Sequence, residues 1–307
     1  MAGATGAIGR PLVPMLLEAG HEVCGMTRTE RGAERLRAAG AEATVCDVFD
    51  AAAVRRAAEA ARPEVVVHQL TAIPDRIRPR HYEEDLGLTN RLRTEGTRNL
   101  IDAARAAGAR RVVAQSISFA YRPQPGRLMV EDDPLWFDAP SAFTPVVKAL
   151  DEMERAVTGT EGLEGTVLRY GYFYGAGTSY AADGSIAADV RKRRLPLVGG
   201  GTGVFSLIHV EDAAAATVRA LVTESTGIFN VVDDEPAPMS EWLPVYAQAL
   251  GAPAPRRVPA VLARIVAGEF VARMALEQQG VSNAKAKREL SFEPRYPSWR
   301  QGFAETL

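Results

Sequence analysis

Cysteine, histidine and long apolar runs are scarce in this chain of 307 residues, which has 2 cysteines and 4 histidines. Cys24 and Cys46 lie in separate apolar stretches, so they suggest buried thiols in a reducing compartment rather than a metal site. No run approaches the roughly 18 apolar residues of a membrane-spanning helix, and no leader pattern opens the chain. We therefore expect a cytoplasmic protein that holds no metal and does not enter a membrane.

An excess of charge of either sign is also missing. The 36 basic and 38 acidic side chains give a net charge of −2, which offers no attraction for nucleic acid or an anionic membrane. The expected partner is a small-molecule substrate. Lysine is rare among the basic residues, which draws attention to each of the four: Lys148, Lys192, Lys285 and Lys287.

Short β-rich runs alternate with helical patterns through the first two thirds of the chain. The β-rich runs are 22–27, 41–46, 64–70, 111–116 and 165–169, and the helical patterns are 30–39, 51–61, 83–107 and 141–158. Runs such as 65–67 are continuously apolar, as expected when helices cover both faces of a parallel sheet. The alternation predicts an α/β fold, a doubly wound parallel sheet over residues 1–170. A smaller, mostly helical substrate lobe is expected over 171–307, with parts of about 204–232 returning to the sheet.

A glycine-rich segment opens the chain, with glycines at positions 3, 6 and 9 followed by an amphipathic helical pattern. This spacing suits a tight turn, a close approach of the backbone to a pyrophosphate, and a helix N-terminus that attracts phosphate. It predicts a Rossmann-type dinucleotide site formed by Gly3, Thr5, Gly6, Ala7, Ile8 and Gly9. Only Met1 and Ala2 precede the motif, too few for a central strand. Either the sequence starts late or the first strand is supplied in an unusual way, and we favour the late start.

The ends of the next strands are expected to contact the rest of the cofactor. Thr27 and Arg28 lie at the end of the run 22–27, the second strand of the expected sheet. An acidic residue at this place would select NAD, and a basic one suits the 2′-phosphate of NADP. Arg28 therefore favours NADP, with NAD as the alternative, unless its side chain is only solvated. Asp47 and Val48 are placed to contact the adenine, although Asp47 is equally suited to cap the next helix. Further cofactor contacts are assigned to Leu70, Thr71 and Ala72.

Several motifs together resemble the extended short-chain dehydrogenase/reductase superfamily, and within it the NAD-dependent epimerase/dehydratase branch. The motifs are the glycine turn at 3–9, Asp47-Val48, and the segments 95–100, 168–175, 208–213, 229–236 and 282–287. The resemblance covers nearly the whole chain. It implies that Tyr170 and Gly171 border the cofactor, that Tyr172 and Tyr174 border the substrate, and that a homodimer forms through the long helices at 83–107 and 141–158.

The resemblance also implies a catalytic serine and a Tyr-x-x-x-Lys pair, and here the chain departs from the pattern. Lys148 matches the lysine that holds the nicotinamide ribose, but Thr144 stands where the tyrosine acid/base is expected. Ser116 and Ser118 flank the serine position, and each is also suited to be a plain strand-end hydroxyl. Tyr121 is a candidate replacement for the missing phenol, as are the three tyrosines at 170–174, which are more typical of pocket walls.

These features lead to an NADP-preferring oxidoreductase that acts on a small carbonyl or alcohol substrate with a modified active site. A nucleotide-sugar epimerase or dehydratase is the alternative within the enzymes, although the missing tyrosine and Arg28 both count against it. A dinucleotide-binding sensor that has lost its chemistry is the alternative outside them.

Overall fold

The computed structural model describes residues 1–223 and 225–307. Its strands are short, apart from two neighbouring strands inside the main sheet. They are β1 (Cys24–Thr27), β2 (Glu42–Val45), β3 (Val65–His68), β4 (Arg111–Ile117), β5 (Glu164–Tyr170), β6 (Tyr172–Tyr174), β7 (Leu197–Val198), β8 (Val204–Phe205), β9 (Leu207–His209), β10 (Gly227–Val231), β11 (Ala237–Pro238) and β12 (Arg257–Val258).

The helices largely follow the sequence pattern. They are α1 (Gly9–Glu18), α2 (Glu30–Ala38), α3 (Ala51–Ala61), α4 (Tyr82–Arg91), α5 (Thr97–Ala106), α6 (Thr144–Gly159), α7 (Ser185–Arg191), α8 (Val210–Val222), α9 (Met239–Ala249), α10 (Ala260–Ala267), α11 (Glu269–Glu277), α12 (Ala284–Leu290) and α13 (Trp299–Thr306). Capping side chains explain why two of them begin where they do. Thr29 accepts from the Gly32 amide at 3.1 Å and Asp50 from the Ala53 amide at 2.9 Å.

The main sheet is parallel and has the order β2, β1, Ala2, β3, β4, β5, β10. Successive residues of its central strands face two separate cores. Val66 and Val112 contribute to the core beneath α3, α5 and α6, whereas Val67 and Val113 contribute to the core beneath α1 and α8. The doubly wound α/β sheet predicted from the continuously apolar runs is therefore confirmed.

A second lobe lies beyond β5 and has its own apolar core of aromatic side chains, including Trp242, Tyr246, Trp299 and Phe303. Three short strand pairs belong to it: β6 with β9, β7 with β12, and β8 with β11. Two elements of this part of the chain return to the sheet, because β10 pairs with β5 and α8 packs against α1. Within the described ranges, no helix combines the length and the apolar character that a bilayer crossing needs.

The long helix predicted over 83–107 is not a single α-helix. Between α4 and α5 the chain forms a wide π-helical turn over Leu92–Gly96. The Thr94 hydroxyl donates to the Asn90 carbonyl oxygen at 3.2 Å, and a side chain that bonds to the preceding turn in this way competes with the regular backbone ladder. The turn buries Leu92, Arg93 and Gly96 on the inner side.

Residues 1 and 2 occupy the central position between β1 and β3. The Ala2 amide donates to the Val67 carbonyl at 2.8 Å, and the Met26 amide donates to the Met1 carbonyl at 2.8 Å. The Met1 ammonium is buried and donates to the Cys24 carbonyl at 2.7 Å, and burial lowers its pKa. A cavity of about 610 Å³ lies next to Met1, between the strands on either side of it, and is bordered by α1, α3 and α5.

Adding residues before Met1 should therefore stabilise the protein. We expect a four-residue extension of β-branched residues to raise the melting temperature by about 5 °C, because each buried side chain contributes about 1.5–3 kcal/mol and fixing its backbone costs about 1–2 kcal/mol. A Gly-Ser extension of equal length is the control, since it moves the ammonium but leaves the cavity without side chains. Equal melting temperatures for the two extended proteins would contradict the prediction.

Candidate active site

A cleft of about 910 Å³ lies at the carboxyl ends of the parallel strands, from the end of β2 to the end of β4. Adjacent strands are about 4.8 Å apart, so four strand spacings give the cleft a length of about 19 Å, enough for both halves of a dinucleotide. Most of the residues predicted to contact cofactor or substrate border it: Gly3, Thr5, Gly6, Ala7, Ile8, Thr27, Arg28, Asp47, Val48, Leu70, Thr71, Ala72, Ser116, Gly171 and Tyr172.

The glycine turn forms a cradle that only glycine permits. Gly3 has a φ of +86°, and a Cβ built on it would lie 2.5 Å from the Gln69 carbonyl oxygen. Gly9 does not border the cleft; its close approach lets α1 pack on the turn, where a Cβ would lie 2.4 Å from the Ala4 carbonyl oxygen. Ala7 and Ile8 then bring the start of α1 to the cleft, where free amides attract phosphate.

Arg28 and Asp47 mark the end of the cleft beyond β1 and β2. Both side chains are exposed, and both border the cleft. Asp47 accepts from the Phe49 amide at 3.0 Å, which holds its carboxylate at the mouth. Asn99 donates to the Val48 carbonyl at 2.8 Å and fixes the loop from behind.

The opposite end of the cleft is lined mainly by aromatic and aliphatic side chains. Phe119 and Tyr172 stack there with ring centroids 4.3 Å apart, and Ile117 and Leu92 complete the wall. The Tyr172 hydroxyl donates to the Gln278 side-chain oxygen at 2.8 Å. Burial raises the pKa of Tyr172 well above its usual value, and this phenol is a poor acid or base at neutral pH.

Thr144 and Lys148 do not reach the cleft. The buried side of α6 is apolar apart from Glu154 and includes Val146 and Leu150. Lys148 points away from this face into solvent, as do Glu152 and Arg155. The Thr144 hydroxyl donates to the Ala139 carbonyl at 2.9 Å at the start of the helix. The sequence match to the Tyr-x-x-x-Lys spacing therefore falls on the outer side of α6.

Ser116 borders the cleft, but its hydroxyl is already engaged. It donates to Glu154 Oε1 at 2.6 Å. The same carboxylate accepts from Arg169 Nε at 2.9 Å and from its Nη2. Arg169 and Glu154 are both buried. Burial lowers the pKa of Arg169, and the bonds and charge of Glu154 more than reverse the effect, so the net shift is upward.

Tyr121 belongs to this buried network and not to the cleft. Its hydroxyl accepts from Arg169 Nη1 at 2.7 Å and donates to the Asn230 side-chain oxygen at 2.7 Å. Burial raises the pKa of Tyr121 to about 12, against the opposing effect of Arg169. Ser118 is also buried, in a short helical turn after β4, and does not border the cleft.

Tyr170 and Tyr174 likewise lie behind the wall and not on it. The Tyr170 hydroxyl shares a 2.6 Å hydrogen bond with the Thr217 hydroxyl, and burial raises the pKa of Tyr170 to about 12. Tyr174 packs edge-on against Phe303 and His209 in the second lobe. Of the three tyrosines between 170 and 174, Tyr172 alone borders the cleft.

Sequence reasoning missed two buried charged residues that shape the site. Glu154 is the single buried charge of α6, and Arg93 borders the cleft from the π-turn. Glu154 repeats with the buried Val147 and Leu150 at helical spacing, so an acidic residue on an apolar stripe was the available signal.

The family is shown by comparison with known proteins. Residues 1–231 match the family model described as the NAD dependent epimerase/dehydratase family. With this cleft at the ends of a doubly wound sheet, the chain belongs to that family.

Three known proteins show how far the likeness extends. A "3-diazoavenalumate denitrifying reductase" from Streptomyces is 49% identical over 304 residues, which covers 98% of this chain and 97% of that protein. Among solved structures, Thermus thermophilus UDP-glucose 4-epimerase in complex with NAD matches with a TM-score of 0.74 and 25% identity over 99% of this chain and 96% of that one. A human epimerase family protein with NADPH has a TM-score of 0.72 at 22% identity and covers 99% and 97%. Together they support a nicotinamide cofactor and an oxidoreductase- or epimerase-type enzyme.

The buried pair of Glu154 and Arg169 should dominate the stability of this region. We expect Glu154→Gln to lower the free energy of unfolding by about 3–5 kcal/mol, because it leaves the Arg169 guanidinium buried without its counter-charge. Glu152→Gln is the matched control: Glu152 lies two residues away, is exposed, and faces Arg98 at 3.9 Å, so its effect should stay below about 1 kcal/mol. Denaturant unfolding of both variants measures the difference, and similar losses would refute the assignment.

Proposed function

We propose that this protein is an NADPH-dependent reductase that delivers hydride to the terminal nitrogen of an aryl diazo group and releases dinitrogen. The observation that carries the proposal is the hydride end of the cleft. None of the described residues of α6 borders it: Val146 and Leu150 pack in the apolar core, and Lys148 lies outside in solvent. A reduction at this site has to proceed without the usual phenol and ammonium.

The described residues fit a dinucleotide. The turn at Gly3 and the start of α1 would hold the pyrophosphate, Asp47 and Val48 would contact the adenine, and Arg28 would pair with a 2′-phosphate. When bound, the cofactor supplies a hydride. Phe119 and Tyr172 would keep water from the reacting end, because their stacked rings form an apolar wall.

Diazo chemistry explains why the hydride-transfer step needs no proton donor from the protein. Reduction of a carbonyl develops negative charge on oxygen, which an acid must neutralise. An aryl diazonium ion already carries positive charge, so hydride addition at its terminal nitrogen gives a neutral aryl diazene. The diazene then loses its N–H proton to solvent, dinitrogen leaves as the carbon–nitrogen bond breaks with its electron pair remaining on carbon, and the carbon takes up a proton from water. Overall, the diazonium ion and one hydride give the arene and dinitrogen.

The similarity to the Streptomyces reductase supports this substrate class. That protein is named for a diazo substrate and for denitrification, and the likeness extends over 98% of this chain. The carbonyl or alcohol substrate expected from the sequence requires the missing acid, and the epimerase alternative requires it too. The homodimer implied by the resemblance stays a prediction.

Arg28 should set the cofactor preference. We expect Arg28→Ala to weaken NADPH binding about tenfold, equivalent to about 1.4 kcal/mol, and to leave NADH binding unchanged, because only NADPH carries the 2′-phosphate. Arg31→Ala is the control, since Arg31 is exposed nearby but does not border the cleft. Fluorescence titration measures the affinities; a parallel loss for both cofactors would contradict the role of Arg28.

The reaction itself can be tested with 4-carboxybenzenediazonium and NADPH. We expect protein-dependent oxidation of NADPH with one dinitrogen released per NADPH consumed. The kcat/KM should be flat from about pH 6 to 8, because burial raises the pKa of Tyr172 and Tyr180, the phenols that border the cleft, well above this range. Lys148→Ala should change kcat/KM less than twofold, since the side chain lies outside the cleft. A protein-free reaction corrects for direct reduction of the probe.

Three outcomes would oppose the proposal in different ways. Turnover of an aldehyde probe but not of the diazonium ion would favour the carbonyl substrate expected from the sequence. Loss of activity in Lys148→Ala would show that Lys148 does act as the lysine of the Tyr-x-x-x-Lys pair. NADPH binding without reduction of either probe would favour a dinucleotide sensor.

A further inference from the structure

Arg93 places a buried positive charge on the wall of the cleft. Its side chain is 5% exposed and borders the same space as Ser116 and Phe119. Its guanidinium makes one side-chain hydrogen bond, from Nη1 to the Asn90 oxygen at 3.3 Å. Among the residues that the structure describes, no carboxylate oxygen lies within 4.0 Å of it. A buried arginine without a paired acid is costly for a fold to keep.

The surroundings do not offset this cost. Burial lowers the pKa of Arg93 to about 10, against smaller favourable effects of Tyr82 and Glu154. Glu154 is already committed to Arg169 and to the Ser116 hydroxyl. His68 is also near, and because burial lowers its pKa to about 4 it is neutral at pH 7 and does not counter the charge of Arg93.

The position of Arg93 separates it from the phosphate cradle. The cradle lies at the glycine turn and the start of α1, beside β1, and Arg28 serves the same end. Arg93 lies in the π-turn that packs against α6, and it interacts electrostatically with His68 at the end of β3 and with Glu154, which holds Ser116 of β4. Wide turns of this kind are frequent at functional sites, and this one brings a planar guanidinium, suited to grip a carboxylate with two hydrogen bonds, to the reacting end.

We propose that Arg93 is the substrate-selecting residue of the cleft and that it binds the carboxylate of an aromatic acid. The aromatic ring would pack against the stacked pair of Phe119 and Tyr172. This inference rests on the proposed function for the reacting group and adds the second requirement, a negative charge elsewhere on the same molecule. The substrate class is thus an aryl carboxylate that carries a diazo group.

The decisive comparison needs no variant. With the wild-type protein and NADPH, 4-carboxybenzenediazonium should have a kcat/KM at least tenfold above that of its methyl ester, which keeps the reacting group and loses the charge. Arg93→Met should remove this difference, and Arg93→Lys should retain part of it. Arg98→Met is the control, because Arg98 is exposed on α5 and does not border the cleft. Equal rates for acid and ester in the wild-type protein would overturn the proposal.

A binding experiment separates this inference from the reaction. In calorimetric titrations of the protein saturated with NADP⁺, 4-hydroxycinnamate should bind at least tenfold more tightly than its methyl ester. The variant Arg93→Met should abolish this preference. If this holds while no diazonium ion is reduced, the proposed function fails and the carboxylate site stands. If acid and ester bind alike, the carboxylate site fails whatever is reduced. NADPH affinity of Arg93→Met, expected unchanged, shows that the variant is folded.

Discussion

One buried ion pair organises the interior next to the cleft. Glu154 on α6 and Arg169 on β5 bind each other in the buried interior, and each also holds a neighbouring strand or loop. The carboxylate takes the Ser116 hydroxyl of β4, and the guanidinium reaches Tyr121 and the Glu131 carbonyl oxygen at 3.1 Å. Because an unpaired charge here is so costly, α6, β4 and β5 are fixed in one arrangement. That arrangement leaves Ser116 and Tyr121 without free hydroxyls for chemistry.

Because this pair engages Ser116 and Tyr121, the chemistry of the site depends on the other residues that border the cleft. No described residue of α6 borders the cleft, and its proposed hydride end is lined mainly by aromatic and aliphatic side chains. Burial raises the pKa of the two phenols that border the cleft, Tyr172 and Tyr180, well above the usual value, so both are poor proton donors. The one cation at that end, Arg93, lacks a carboxylate within the described parts of the chain. A cleft with these properties favours an electrophile that is reactive without an acid and a substrate that brings its own negative charge.

The sequence predicted the fold well because the fold depends on local, repeated signals. Continuously apolar strands and the glycine spacing at 3–9 indicated a doubly wound sheet and a cradle before β1. The active site was harder for physical reasons. Spacing alone matched Lys148 to the lysine of the Tyr-x-x-x-Lys pair. Packing decides which side of a helix faces inward, and on α6 the buried side contains Val147 and Leu150. Tyr170 and Tyr172 are two residues apart, yet only Tyr172 reaches the cleft, because β5 ends and the chain turns between them.

The scarcity of lysine has a practical consequence for handling the molecule. Among the residues that the structure describes, no lysine borders the cleft, and the Met1 ammonium is buried between strands. Lys285 donates to the Ile228 carbonyl at 2.9 Å and covers the Phe229 ring, whereas Lys148 and Lys192 are exposed. Amine-directed coupling to a surface or a dye would therefore attach the protein through a few outer points and leave the residues that border the cleft unmodified.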